Sequence, residues 1–203
     1  MFGARFARRR ASQYRRRGLD RIAQRMVEFI TDRGVDGASV LEIGGGVGEI
    51  QIELLRRGAA SAVNLELVDA YDAAAESLLA EAGLSDRAER RMVDIAVTPG
   101  DVEAADIVVL HRVVCCYPDY KALLSAAAAH TRRVLVFSHP PRNPGTRAVA
   151  ATQRAIFQAT RKSFRSFAHP PDEMLRVTRE HGLSGGPVHR GMAWHVEGLE
   201  RVS

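Results

Sequence analysis

Glu42-Ile43-Gly44-Gly45-Gly46-Val47-Gly48 is the stretch on which the fold of this chain turns. It follows directly on Ser39-Val40-Leu41-Glu42-Ile43, a short apolar run rich in β-branched residues and cut off by three glycines. Such a run reads as a strand of a parallel sheet, buried on both faces. After the glycines, Glu49 to Gly58 (EIQIELLRRG) reads as a helix stopped by glycine. The unit is therefore strand, glycine turn, helix.

Working outward, the alternation repeats. Ser61 to Leu67 (SAVNLEL) predicts a strand and Ala70 to Ala82 (AYDAAAESLLAEA) an alanine-rich helix. Arg90 to Ile95 predicts a weaker strand, Asp106 to Leu110 (DIVVL) a strong one, and Tyr120 to His130 a helix. Arg133 to Ser138 (RVLVFS) is the fifth strand. Upstream, Leu19 to Arg33 places Ile22, Met26, Phe29 and Ile30 at helical spacing. Strands alternating with helices at these lengths predict an α/β fold, a three-layer, doubly wound, parallel sheet with helices on both faces.

From Pro140 the pattern changes. HPPRNPG is a proline-rich break, followed by a basic helix over Thr146 to Phe167 carrying Ile156, Phe157, Phe164 and Phe167. Pro170-Pro171 and Asp172 open another helix through His181, and Val188 to Arg190 and Ala193 to Arg201 predict two closing strands.

Composition narrows the function classes. A 203-residue chain with 46% hydrophobic and 26% charged residues is an ordinary globular domain, which excludes wholesale disorder. No apolar run reaches the ~20 residues of a membrane span, and the start, MFGARFARRRASQYRRRG, lacks the apolar region of a secretory signal. Cys115 and Cys116 are neighbours, so a disulfide scaffold is excluded and a reducing, cytoplasmic setting is expected. The formal charge of +5 is local: residues 1–21 carry eight arginines against Asp20, and the rest of the chain sums to about −2. The sequence thus divides into a basic N-terminal arm, 1–18, and a domain, 19–203.

The chemistry starts at the glycines. A dinucleotide-binding G-x-G-x-x-G turn would place Glu49 in its third slot, where an anion is unwelcome. The spacing instead reads E-x-G-x-G-x-G, with Glu42, Gly44, Gly46 and Gly48. Glu66 follows Gly48 by 18 residues, near the end of the next strand and beside Leu67. A carboxylate there can accept hydrogen bonds from both hydroxyls of a ribose. Asp94, in Val93-Asp94-Ile95, can accept from an adenine amine while Ile95 packs on the ring. Ligand groups on successive strand ends are where open α/β sheets bind ligands.

On these residues the chain resembles the class I S-adenosylmethionine-dependent methyltransferases over roughly Leu19 to Arg201, with VLEIGGGVGE at 40–49 as its glycine motif. The resemblance implies a seven-stranded, mostly parallel, Rossmann-like sheet with an antiparallel last strand. It implies S-adenosyl-L-methionine as cofactor, with Gly44, Gly46 and Gly48 around the methionine portion, Glu66 on the ribose and Asp94-Ile95 at the adenine. It also implies that 140–181 builds the acceptor side. GVGEIQIELLRRGA, VVCCYPDY and FAHPPDEM are similar to the branch containing magnesium-protoporphyrin O-methyltransferase, which often has a histidine where this chain has Cys116.

His111, at the end of the fourth strand, is the first candidate for touching cofactor or substrate, as general base or as a hydrogen-bonded loop histidine. His139, after the fifth strand, is the second catalytic candidate. His169 reads as a helix-entry residue, and Tyr117 as a core residue or as one lying near the sulfonium or the substrate. His189 and His195 are six apart with no third ligand evident, and one adjacent cysteine pair is a poor zinc site, so no metal is expected. The arginine arm has three readings: a solvated tail, a helix closing over the cofactor with Tyr14 facing it, or a contact for nucleic acid or an anionic surface. The favoured function is methyl transfer from S-adenosylmethionine to a small organic acceptor, at oxygen. A cofactor-binding module without turnover and an RNA methyltransferase are the alternatives.

Overall fold

The computed structural model describes residues 3–142 and 167–202. The basic helix expected over 146–167, with Ile156, Phe157 and Phe164, lies outside the described residues apart from Phe167.

Seven strands form one sheet: β1 (Ser39–Ile43), β2 (Ser61–Leu65), β3 (Ala88–Arg91), β4 (Ala105–Leu110), β5 (Thr131–His139), β6 (Leu183–Arg190) and β7 (His195–Arg201). Their order is β3-β2-β1-β4-β5-β7-β6. The first five run parallel, and β7 is antiparallel to both β5 and β6. Leu41 of β1 is in register with Val63 of β2 and Val108 of β4, so β1 lies between two apolar strands. The chain leaves β1 toward β2 and β3, then returns to build β4 and β5 on the other side. That reversal makes the carboxyl ends of β1 and β4 a switch point, where a crevice opens.

Helices cover both faces. Along each central strand alternate residues enter opposite cores. Val40, Ile107, Val109, Val134 and Val136 pack under α1 (Ala4–Arg17), α2 (Arg21–Thr31), α3 (Glu49–Arg56) and α4 (Asp72–Ala82). Leu41, Val108, Leu110, Leu135 and Phe137 pack under α5 (Tyr120–Ala129) and a sixth helix, α6 (Pro171–Glu180). Burial on both faces explains why these strands read as unbroken apolar runs. Among the described residues no helix is long and apolar enough to cross a membrane.

Residues 4–17 of the arginine-rich arm form α1, which buries Ala7, Ala11 and Tyr14, at i, i+4 and i+7. Two alanines on that stripe let the helix approach α4 closely. Gly18 ends it, and Asp20 then caps α2 by accepting from the amides of Ile22 and Ala23 at 3.0 and 3.1 Å.

Strand boundaries depart from the sequence expectation, notably in β2, β3 and β6. β2 ends at Leu65, so Glu66 and Leu67 lie just beyond it. β3 spans Ala88–Arg91 rather than 90–95 because Ala88 pairs with Ala62 at the start of β2. Val93-Asp94-Ile95 is therefore loop, with the Asp94 carboxylate accepting from the amide of Ala96 at 3.1 Å to start a turn. β6 begins at Leu183, ahead of Val188, and Pro187 sits within it. Proline is tolerated because β6 is the sheet edge.

Candidate active site

The crevice encloses about 610 Å³ at the carboxyl ends of β1, β2 and β4, the size range of small-molecule sites. Its floor is the glycine turn. Gly46 has φ +57°, a left-handed conformation that glycine adopts without strain, and this turns its amide onto Glu66 Oε2 at 2.9 Å. Glu66 Oε1 accepts from the amide of Val68 at 3.0 Å. The carboxylate is thus aimed by two backbone donors and keeps further lone pairs for a ligand. On the other side of the turn, Arg90 donates to the carbonyl of Gly46 and to Asp72, both at 2.9 Å.

Gly45 is required for a different reason. A Cβ there would lie 2.7 Å from Asn64 Nδ2 and 2.7 Å from the carboxyl carbon of Glu42. Glu42 itself is wholly buried and accepts from the amide of Gln51 at 3.1 Å. Burial pushes its pKa up to about 8, outweighing that amide.

At the far wall, Asp94 accepts from the hydroxyl of Tyr117, at 2.9 Å for Oδ2. Burial and then this bond push the tyrosine up to about 12. Ile95 is buried beside it. Tyr117 does both things its sequence position allows: it packs against the core beneath α5 and lines the crevice.

Behind the glycine turn lies a charged cluster that no spacing announces. Asp20, Glu49, Arg10, His111 and Arg112 come from α1, the α1–α2 junction, α3 and the end of β4. Arg10 pairs with Glu49 and lies 3.7 Å from Asp20 Oδ2; Arg112 pairs with Asp20 at 3.1 Å. Burial pushes Asp20 up, but His111, the Ala23 amide and Arg112 together hold it well below the carboxylate range. Glu49 goes the other way, raised by burial despite Arg10. Arg112 is the one non-glycine residue with positive φ (60°) among the described residues, and its amide donates to Ser138 Oγ at 2.9 Å. Backbone strain of this kind is a feature of ligand sites.

His111 lines the crevice, with Nδ1 3.0 Å from Ser138 Oγ and Nε2 3.8 Å from Asp20 Oδ2. Burial lowers its pKa, favouring neutral imidazole.

The structure brings together Glu42, Gly44, Gly46, Glu66, Leu67, Asp94, Ile95 and His111 around one space. It leaves out Gly48, Tyr14 and His139. Gly48 caps α3. The Tyr14 hydroxyl donates to Glu53 at 2.7 Å and accepts from Arg56 at 3.0 Å, so the residues of α1 that reach the crevice are Phe6 and Arg10. His139 is buried at the end of β5, between Glu197 and the carbonyl of Pro140, and is not among the residues that line the crevice. His169 braces the helix entry, its Nε2 3.0 Å from the carbonyl of Tyr117 and its ring stacked on Phe167. The thiols of Cys115 and Cys116 are free, with sulfurs 3.6 Å apart.

Residues 8–183 match the methyltransferase-domain family model. The chain belongs to that family and has the class I, S-adenosylmethionine-dependent methyltransferase fold. Magnesium protoporphyrin IX methyltransferase (ChlM) from Synechocystis PCC 6803, solved with bound SAH, superposes with a TM-score of 0.71 at 18% identity, covering 89% of this chain and 82% of that one. An O-methyltransferase family protein from Burkholderia thailandensis gives 0.71 at 22% identity, over 90% of this chain and 57% of its own. An O-methyltransferase family 2 protein from Planctomyces limnophilus, in complex with apigenin, gives 0.64 at 17%, over 92% and 63%. No curated protein matches.

Proposed function

We propose that the protein transfers the methyl group of S-adenosylmethionine to an oxygen of a small organic acceptor. The observation that carries this is Glu66, whose two oxygens are fixed by the amides of Gly46 and Val68 while the carboxylate still lines the crevice. A carboxylate held this way can accept both hydroxyls of a ribose without rearranging. Asp94 and Ile95 supply a polar and an apolar contact for the adenine, and the glycine turn, with Glu42 beneath it, would hold the methionine portion.

The cofactor supplies an activated methyl on a sulfonium, so the protein's work is alignment and exclusion of water. His111 is tied to Ser138 through Nδ1, while Nε2 lies 3.8 Å from Asp20 Oδ2, beyond hydrogen-bond reach, and is buried. An acceptor whose oxygen is already ionised, such as a carboxylate, needs no proton removed and suits that arrangement. His111 then acts as a wall of the crevice, anchored by Ser138. The O-methyltransferases and ChlM of similar fold support an oxygen acceptor.

The test is calorimetry with S-adenosylmethionine and S-adenosylhomocysteine, then turnover against carboxylate, phenol and bulk RNA acceptors. Micromolar binding of both nucleosides, abolished by Gly46→Arg, is expected, with product formed on carboxylates. Flat titrations with both nucleosides would overturn the reading. Binding without turnover on any acceptor would leave a cofactor-holding module in its place.

A further inference from the structure

Where β5 ends beside the start of β7, outside the lining of the crevice, His139, His195 and Glu197 converge. The antiparallel register sets His139 opposite His195, and Glu197 two residues further along β7. One ligand atom from each lies within 4.8 Å of the others. Sequence spacing left the pair His189 and His195 without a third ligand; the strand pairing instead sets His139 and Glu197 beside His195.

The hydrogen bonds prepare the site for a cation. His139 Nδ1 faces the carbonyl of Pro140 at 2.9 Å, so Nδ1 carries the N–H that donates there. That bond turns the Nε2 edge toward Glu197 Oε1, 3.0 Å away. Two acceptors cannot rest against each other, so a proton or a metal ion has to mediate the contact. A backbone carbonyl on the remote ring nitrogen is the partner that metal-bound histidines usually have. His139 and Glu197 are 1% and 0% exposed and sit on adjacent strands, which fixes their positions. The ring of His195 stands edge-on to His139 with centroids 5.4 Å apart. Positive charge already reaches Glu197 from Arg190, which donates to Oε1 at 2.5 Å and Oε2 at 3.3 Å from a side chain 42% exposed. That arginine can swing to solvent.

We propose that His139, His195 and Glu197 form a binding site for a divalent transition metal of the zinc class, with Arg190 as the cation that the metal displaces from the carboxylate. Two imidazoles and one carboxylate match zinc, whereas calcium and magnesium call for all-oxygen shells. Three protein ligands leave a fourth position open. Ser138, next to His139, bonds His111, so an occupied site would brace the strand end that forms one wall of the crevice.

The test uses the full chain stripped with chelator and titrated with Zn²⁺ by calorimetry and with Co²⁺ by visible absorption. One equivalent is expected to bind, with tetrahedral or five-coordinate Co²⁺ bands and no intense near-ultraviolet thiolate band. His195→Ala, on the partly exposed ligand, should weaken binding at least tenfold. Arg190→Gln should strengthen it severalfold, an effect opposite in sign to that of simply breaking a buried ion pair. Absence of saturable binding in both wild type and Arg190→Gln would overturn the site. So would undiminished affinity in His195→Ala, or a thiolate band placing the ion on Cys115 and Cys116.

Discussion

Two glutamates show how environment divides identical side chains. Glu66 is partly exposed and aimed by backbone amides, so it is available to a ligand. Replacing it with Ala removes charge-assisted bonds worth about 1.5–3 kcal/mol, so affinity for S-adenosylhomocysteine should fall about 10- to 100-fold in calorimetry, with the fold intact. Glu42 is sealed beneath the turn with a pKa near 8. Its folded pKa lies above the unfolded value of about 4.3, so folding retains a proton that the unfolded chain releases. Stability from this group is full below about pH 4, falls as pH climbs between the two pKa values, and levels beyond about pH 8. Glu42→Gln keeps the shape and removes the titration, so it should flatten that decline. It should exceed wild type at pH 8 by about 2–4 kcal/mol in denaturant melts. His111 belongs here too: a lost general base would cost about 10²–10⁴ in kcat. As a wall residue, His111→Gln should cost less than about tenfold on a carboxylate acceptor.

Among the elements, α1 changes meaning most between sequence and structure. Eight arginines in the first 21 residues advertise charge, and that signal hides the apolar stripe of Ala7, Ala11 and Tyr14. Alanine carries little hydrophobic weight, so only its neighbours reveal that the helix packs. Once it packs, Arg10 reaches Glu49 and Phe6 reaches the crevice. Arg10→Ala would leave Glu49 buried without its partner, at a cost of about 2–3 kcal/mol in thermal or denaturant melts, together with weaker cofactor binding. Glu49→Gln on top of it should restore most of the stability. β3 illustrates the reverse problem. Its residues, Ala-Glu-Arg-Arg, are a charged edge strand without apolar periodicity, so only pairing with β2 could locate it and move Asp94 into a loop.

At the scale of the molecule, charge and site separate. Arg5, Arg8, Arg9, Arg16 and Arg17 are exposed on α1 and make no ion pair among the described residues. Any RNA affinity they confer should fall steeply with salt. Changing Arg8, Arg9, Arg16 and Arg17 to Ser should remove it while turnover on a small acceptor stays within about twofold; parallel loss of turnover would favour an RNA substrate. The layered fold, the central strands and the gathering of the glycine turn and Glu66 at one crevice were legible in the chain itself, because each depends on local periodicity or on a fixed offset from the strand–turn–helix unit. Tertiary structure alone decided three other matters: Tyr117 on Asp94, Arg10 and Asp20 beside His111, and His139 next to His195 and Glu197. Those contacts join segments 23 to more than 90 residues apart, and no local pattern encodes a meeting that depends on how strands are ordered and which helix covers which face.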